Sequence, residues 1–278
     1  MNTSYRTACK CALLAAVTVS LLFTTARLGF TQVDSSMHSG RRLYDNFERK
    51  HLNPDKWVSQ WQCGSPSVME CDRGIVDHKL RLYVRDYGAR DTNTNIQYGV
   101  SELDLRATAV TDISAGIVVL KTDSQGCTTS PQPATGTKGQ ALIYGSYFNG
   151  GGGTANDDVQ AFLDLERRST DPLGVLEASG FLGYQGTFFG DVDLGPVNVG
   201  ERVIAELFWD KRNHRFIAHV FHPDTGASYE QTMPYSISDS MDAVFPLRGL
   251  SARGFSENCT GVKTFADMEV AFDEVKAN

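Results

Sequence analysis

After its first 26 residues the sequence has no sustained helical period, no apolar run long enough to cross a bilayer and no excess of basic residues. The first lack points away from helical folds and toward an all-β chain. The second leaves no stable membrane insertion, since a spanning helix needs roughly 20 apolar residues. The third weighs on partners: 26 Lys and Arg against 33 Asp and Glu give a net charge of −7. An acidic domain is a poor match for nucleic acid or an anionic membrane, and neutral polymers or cationic partners fit better.

Several catalytic and metal signatures are also missing. No Cys-x-x-Cys spacing supports zinc. The Gly-rich or low-complexity stretches at 127–139 ("CTTSPQPATGTKG") and 149–156 ("NGGGGTAN") lack the Gly-Lys-Ser/Thr of a phosphate loop, and read as surface loops. "GLSARG" misses the Gly-x-Ser-x-Gly elbow by one residue. His214, His219 and His222 are separated by odd intervals, so consecutive members cannot share a metal on one straight strand.

Residues 1–26 carry Arg6 and Lys10, then the apolar run "CALLAAVTVSLLF", then small residues ending at Ala26. That is the layout of a cleaved secretory signal. Its removal leaves 24 basic residues against 33 acids, a net −9. Residues 27–42 read as a polar, flexible lead-in, and 43–278 as one domain. The protein is thus expected to be secreted, periplasmic or displayed at the cell surface. Four cysteines remain: Cys63, Cys71, Cys127 and Cys259. In an oxidising compartment an even number implies disulfides, with three pairings open. Cys63–Cys71 closes a short loop, and Cys127–Cys259 then follows by elimination.

The rest of the chain alternates apolar and polar residues in short bursts, such as "KLRLYVR" (79–85), "DVQAFLDLERR" (158–168), "RVIAELFWD" (202–210) and "FADMEVAFDEV" (265–275). Turn-formers such as "DSQG", "HPDTG" and "STDPLG" separate them. In 158–168, Val159, Ala161, Leu163 and Leu165 form one face, while Gln160, Phe162, Asp164 and Glu166 form the other. This split predicts half-buried antiparallel sheets.

The ordered part begins "LYDNFERKHLNPDKWV" and ends "VAFDEVKAN", with "QYGVSELDLRATAV" and "VGERVIAELFWDKRNHRFIAHV" between. These segments resemble the concanavalin A-like lectin/glucanase superfamily, which includes LamG and glycoside hydrolase family 16-like members. The resemblance implies a two-sheet antiparallel jelly-roll β-sandwich hosting lectins, adhesion modules, glycosidases and lyases alike. Phe47, Trp57 and Phe272 are expected in its core. Some relatives hold calcium with carboxylates near the chain ends, which makes Asp45 and Asp273 the candidates here for a structural calcium. Calcium needs six to eight oxygen ligands, and two acids do not supply them. No cofactor is otherwise required.

The glucanase branch places Glu-x-Asp-x-Glu or a bulged variant on one strand. "ELDLR" offers Glu102 and Asp104 but puts Arg106 where the last carboxylate belongs, so Glu102 and Arg106 read as a solvent-facing charge ladder. "FLDLE" matches better: Asp164 and Glu166 occupy the middle and last positions, but Phe162 replaces the nucleophile, and a phenyl ring forms no glycosyl ester. Under an enzyme reading Asp164 and Glu166 are the catalytic candidates, with Glu206 or Asp210 as conceivable partners across a groove. A lyase would use Tyr144, Tyr147, His219 or Arg168. The favoured expectation is binding of a neutral glycan without cleavage, through Tyr147, Asn149, Tyr184, Phe189, Asp164 and Glu166. Trp61, Phe148, Phe188 and Trp209 complete the aromatic candidates, more than half of which should be core. An envelope module that binds protein is a further alternative.

Overall fold

The computed structural model describes residues 40–58, 62–64, 68–88, 96–127 and 136–278, with backbone alone at 62–64, 68 and 96–98. The signal segment 1–26, most of the lead-in, Trp61 and the side chain of Cys63 lie outside the described residues.

Two antiparallel sheets of eight strands each build the described part of the chain from Gly40 onward. The first contains β1 (Arg42–Asp45), β4 (Val68–Val76), β5 (Lys79–Tyr87), β7 (Asp112–Gln125), β12 (Arg202–Asp210), β13 (Arg215–His222), β14 (Ala227–Pro234) and β16 (Phe265–Ala277). Its order is β14-β13-β12-β7-β16-β5-β4, with β1 on β16. The second contains β2 (Trp57–Val58), β3 (Gln62–Gly64), β6 (Ile96–Leu105), β8 (Lys138–Asn149), β9 (Asp158–Arg168), β10 (Val175–Tyr184), β11 (Thr187–Asn198) and β15 (Met241–Glu257). Its order is β11-β10-β9-β8-β15-β6-β2, with β3 on β6. The expected two-sheet β-sandwich of jelly-roll type is the fold observed. Among the described residues no helix is long and apolar enough to cross a membrane.

The alternation seen in the sequence builds the interior. Val159, Ala161, Leu163 and Leu165 of β9 are fully buried, as are Leu80, Leu82 and Val84 of β5 and Val203, Ala205 and Leu207 of β12. Period-2 patterning sends these side chains between the sheets, where each large aliphatic contributes about 1.5–3 kcal/mol by leaving water. Phe47 and Phe272 join the same core, and Trp57 stacks on Phe47 at 5.6 Å. The Asp45 carboxylate fixes this corner by accepting from Phe47 N at 3.0 Å and Trp57 Nε1 at 2.7 Å.

Cys127 and Cys259 are bonded to each other, as expected. Cys71 is also disulfide-bonded. Its expected partner is Cys63.

Candidate functional site

The outer face of the second sheet carries rows of polar and aromatic side chains. Register defines its rows. Glu102, Ser251, Leu142, Asp164, Ser179 and Asp193 are successive neighbours from β6 through β15, β8, β9 and β10 to β11. One row over, Asp104, Gly249, Tyr144, Phe162 and Phe181 follow the same strands. On the other side run Arg253, Gln140, Glu166 and Glu177. Because strand partners share a face, period 2 puts all three rows on one surface.

A cleft of about 640 Å³ opens over the β9–β11 end of this surface. Its floor holds Asp164, Glu166 and Ser179, its basic side Lys138 and Arg168, and its outer wall Asp191, Asp193 and Phe188. The wall is raised by a tight hairpin. Tyr184 pairs with Thr187, and Gln185 (φ 51°) and Gly186 (φ 73°) between them both take positive φ, the two-residue turn that matches strand twist. Next in the chain, Phe188 is 65% exposed. Its ring meets Phe181 edge-on at 5.4 Å and Phe162 at 6.2 Å, while Phe162 and Phe181 stack at 4.8 Å.

The floor is a closed hydrogen-bond lattice. Gln140 Nε2 donates to Asp164 Oδ2 at 2.6 Å and to Glu166 Oε2 at 2.7 Å. Ser179 Oγ donates to Asp164 Oδ1 at 2.6 Å. Lys138 Nζ and Arg168 Nε each lie 2.6 Å from a Glu166 oxygen. Burial, with the Glu166 charge beside it, pushes Asp164 up to about 7. Burial pushes Glu166 the same way, but Lys138 and Arg168 outweigh it and hold this carboxyl below its usual value. Neighbours on one strand face thus have opposite proton affinities.

The structure corrects the solvent-facing reading of "SELDLR". Glu102 and Asp104 are buried, at 7% and 3% exposure. Asp104 accepts from Tyr144 Oη at 2.7 Å, and Glu102 lies 3.6 Å from Arg253. Arg106 alone of that trio is exposed.

Of the six expected glycan contacts, only Asp164 and Glu166 line the cleft. Tyr147 is core: its ring packs on Phe216 and Trp209, with the Arg248 guanidinium 3.5 Å from its centroid. Asn149 is buried and structural, donating to Thr154 O and Asp158 Oδ1 and receiving Gly151 and Gly153 N–H groups. Tyr184 and Phe189 are partly buried against the main core. Phe148 and Trp209 are core too. The lyase set is scattered, since Tyr147 is interior and His219 sits on β13 of the other sheet. Glu206 and Asp210 of β12 also belong to the other sheet, and the acids beside Asp164 and Glu166 are Glu177, Asp191 and Asp193 instead. Phe181, Ser179, Gln140 and Lys138 were missed. Their strands alternate visibly, but only register brings them beside β9.

Asp273 is held by Arg202 at 2.8 Å and Lys79 at 3.4 Å, and both Asp45 oxygens carry N–H donors. A cation there would have to displace these bonds. Among the described residues the one group of three metal-type donors is Cys127, Glu257 and Cys259, whose thiols are consumed by the disulfide.

No family model matches the sequence, and no curated protein matches it. Several solved structures align with it at low identity. A GlcNAcα1-4Gal-releasing endo-β-galactosidase from Clostridium perfringens aligns at 9% identity and TM-score 0.44, over 84% of this chain and 61% of its own. Lectin II from Ulex europaeus aligns at 11% and 0.32, over 80% of this chain and 97% of its own. The CBM2 module of the evolved Dit of Lactobacillus casei BL23 phage J-1 gives 10% and 0.37, over 84% and 94%.

Proposed function

We propose that the cleft over β9, β10 and β11 binds a neutral glycan without cleaving it, in an exported protein. The observation that carries this reading is the exposed Phe188 ring, braced by Phe181 and standing over a floor of hydrogen-bonding groups. A pyranose has an apolar face that stacks on such a ring and hydroxyls that need polar partners. The floor supports binding over catalysis. Both Asp164 oxygens and both Glu166 oxygens are already engaged by protein donors, and Phe162 stands where a nucleophile would be. The acidic rim of Glu177, Asp191 and Asp193 disfavours polyanionic chains. Export is supported by the signal-like residues 1–26 and by the disulfide.

One observation favours a second reading, inverting hydrolysis. Asp193 lies two strand spacings from Asp164 through Ser179, roughly 9.5 Å between backbones. Inverting pairs hold their carboxyl groups about 6.5–9.5 Å apart, a range within reach of two side chains that leave one face at that backbone spacing. A polysaccharide array probed with the protein and with its Phe188→Ala, Asp164→Asn and Asp193→Asn variants separates the two. Binding lost in Phe188→Ala with no release of reducing ends is the expected result. Release abolished by either Asp variant establishes the hydrolase instead, and no binding to any glycan rejects both.

A further inference from the structure

The outer face of the first sheet gathers an acid, a histidine and a serine from three adjacent strands. Glu206 of β12 and His219 of β13 are direct cross-strand partners, and Ser228 of β14 pairs with Phe221, two residues along from His219. Val203, Ala205 and Leu207 of β12 and Phe216, Ala218 and Val220 of β13 fill the core, so period 2 turns Glu206, His219 and Ser228 outward. Their contacts run in series. Ser228 Oγ lies 2.7 Å from His219 Nε2, and His219 Nδ1 lies 3.5 Å from Glu206 Oε2. Burial deepens along the same line: Ser228 is exposed, His219 half-buried and Glu206 buried.

Hydroxyl, imidazole and carboxylate in that order are the parts of an activated nucleophile. We propose that Ser228 is the nucleophile of an esterase site for small uncharged carboxylic esters, with His219 as its base and Glu206 as the residue that positions the ring. With the Nδ1 proton turned toward Glu206, Nε2 is the basic nitrogen and takes the proton of Ser228. Oγ bonds to the ester carbonyl carbon, the bond from that carbon to the alkoxy oxygen breaks, and the leaving alcohol takes the proton from Nε2. Water then attacks the acyl-serine, its proton passing through Nε2 to Ser228 Oγ as the carboxylic acid leaves. β14 ends its sheet, so every second backbone N–H along it lacks a strand partner and is a donor for the developing oxyanion.

The neighbours of Ser228 set the substrate class. Phe221 faces it across the ladder and Ile204 faces Phe221, both half-buried, an apolar strip for a short acyl chain. Glu230, the other cross-strand partner of His219, is exposed and repels anionic esters. Arg41 bridges Glu206 Oε2 at 2.7 Å and Asp112 Oδ2 at 3.2 Å. It holds the Glu206 carboxylate behind the imidazole while drawing part of its charge away from His219. The site lies on the other sheet from the glycan cleft and does not rest on that reading.

The test treats the full chain with diisopropyl fluorophosphate and locates the adduct by peptide mass spectrometry; an Oγ–P bond forms as fluoride leaves with the serine proton. The expected result is modification at Ser228, about ten-fold or more faster than at any other residue, with a matching loss of p-nitrophenyl butyrate hydrolysis. Ser228→Ala and His219→Gln should each lower kcat about a hundred-fold or more. Ser228 is exposed, so its variant should keep the parent Tm and report on chemistry alone. Glu206→Gln should lower kcat about ten-fold with KM little changed, and Glu206→Asp should recover part of the loss, as befits a group that touches the ring and not the substrate. An adduct at another residue or at none, modification that persists in His219→Gln, hydrolysis unaffected in Ser228→Ala, or a kcat unchanged by Glu206→Gln would each overturn the proposal.

Discussion

Asp164 and Phe188 show how differently two residues of one cleft bear on stability and binding. Phe188 is mostly in water and touches its neighbours at ring edges. Phe188→Ala should therefore cost less than about 1 kcal/mol in denaturant unfolding, yet weaken glycan binding ten-fold or more by isothermal titration. Asp164 is buried, and its folded value of about 7 stands above its unfolded value of 3.8. Between those values the folded protein holds a proton that the unfolded chain has released. The contribution of the protonated carboxyl is whole below about pH 4 and is lost as pH rises through 7. Asp164→Asn, which stays neutral, should gain stability over the parent between pH 5 and pH 8 by about 1–2 kcal/mol, or a few degrees in Tm. A difference between parent and variant that does not change with pH would place the ionisation elsewhere. Glu102 and Asp104 mark what residue identity alone leaves out: acids two apart on a strand look like a wet face until Tyr144 and Arg253 arrive from β8 and β15.

The face split of β9 was legible because a strand has period 2, and Phe162, Asp164 and Glu166 do share the side opposite Leu163 and Leu165. Which strands flank β9 was not legible, since alternation is the same in every half-buried strand and register is set by long-range packing. That is why Tyr147 and Asn149 read as contacts while Ser179 and Gln140 did not. The β10–β11 hairpin shows a local rule that does survive in sequence: "QG" at 185–186 is a two-residue turn with glycine where φ is 73°. Gly186→Val places a branched side chain in that conformation. It should lower stability by about 1–2 kcal/mol. It should also reduce glycan affinity more than its effect on Tm predicts, because Phe188 is carried two residues beyond the turn. Binding unchanged in a folded Gly186→Val protein would show that the hairpin does not position the ring.

The sandwich as a whole was foreseeable from the absence of helical periodicity, whereas the assignment of strands to two sheets was not, because β7 and β8, adjacent in sequence, lie in different layers. The Cys127–Cys259 bond joins those layers: Cys127 follows β7 of one sheet and Cys259 follows β15 of the other. Beside it the buried Glu257 carboxylate accepts from Cys127 N at 3.3 Å, Gly136 N at 3.1 Å and Thr137 Oγ1 at 3.2 Å, so backbone and side chain converge where the sheets are tied. The bond spans 132 residues, a long loop whose closure removes much freedom from the unfolded chain. Replacing both cysteines with alanine should lower the unfolding free energy by about 2–5 kcal/mol, read as a reduced guanidinium midpoint with little change in slope. Reduction of the parent protein, which also opens the Cys71 disulfide, should cost at least as much, and that links fold to compartment. A chain that needs this bond to hold its sheets together belongs where thiols are oxidised. A midpoint unchanged by reduction would mean that the interior of Leu163, Leu82 and Phe272 already fixes the two layers, and would remove the structural argument for export.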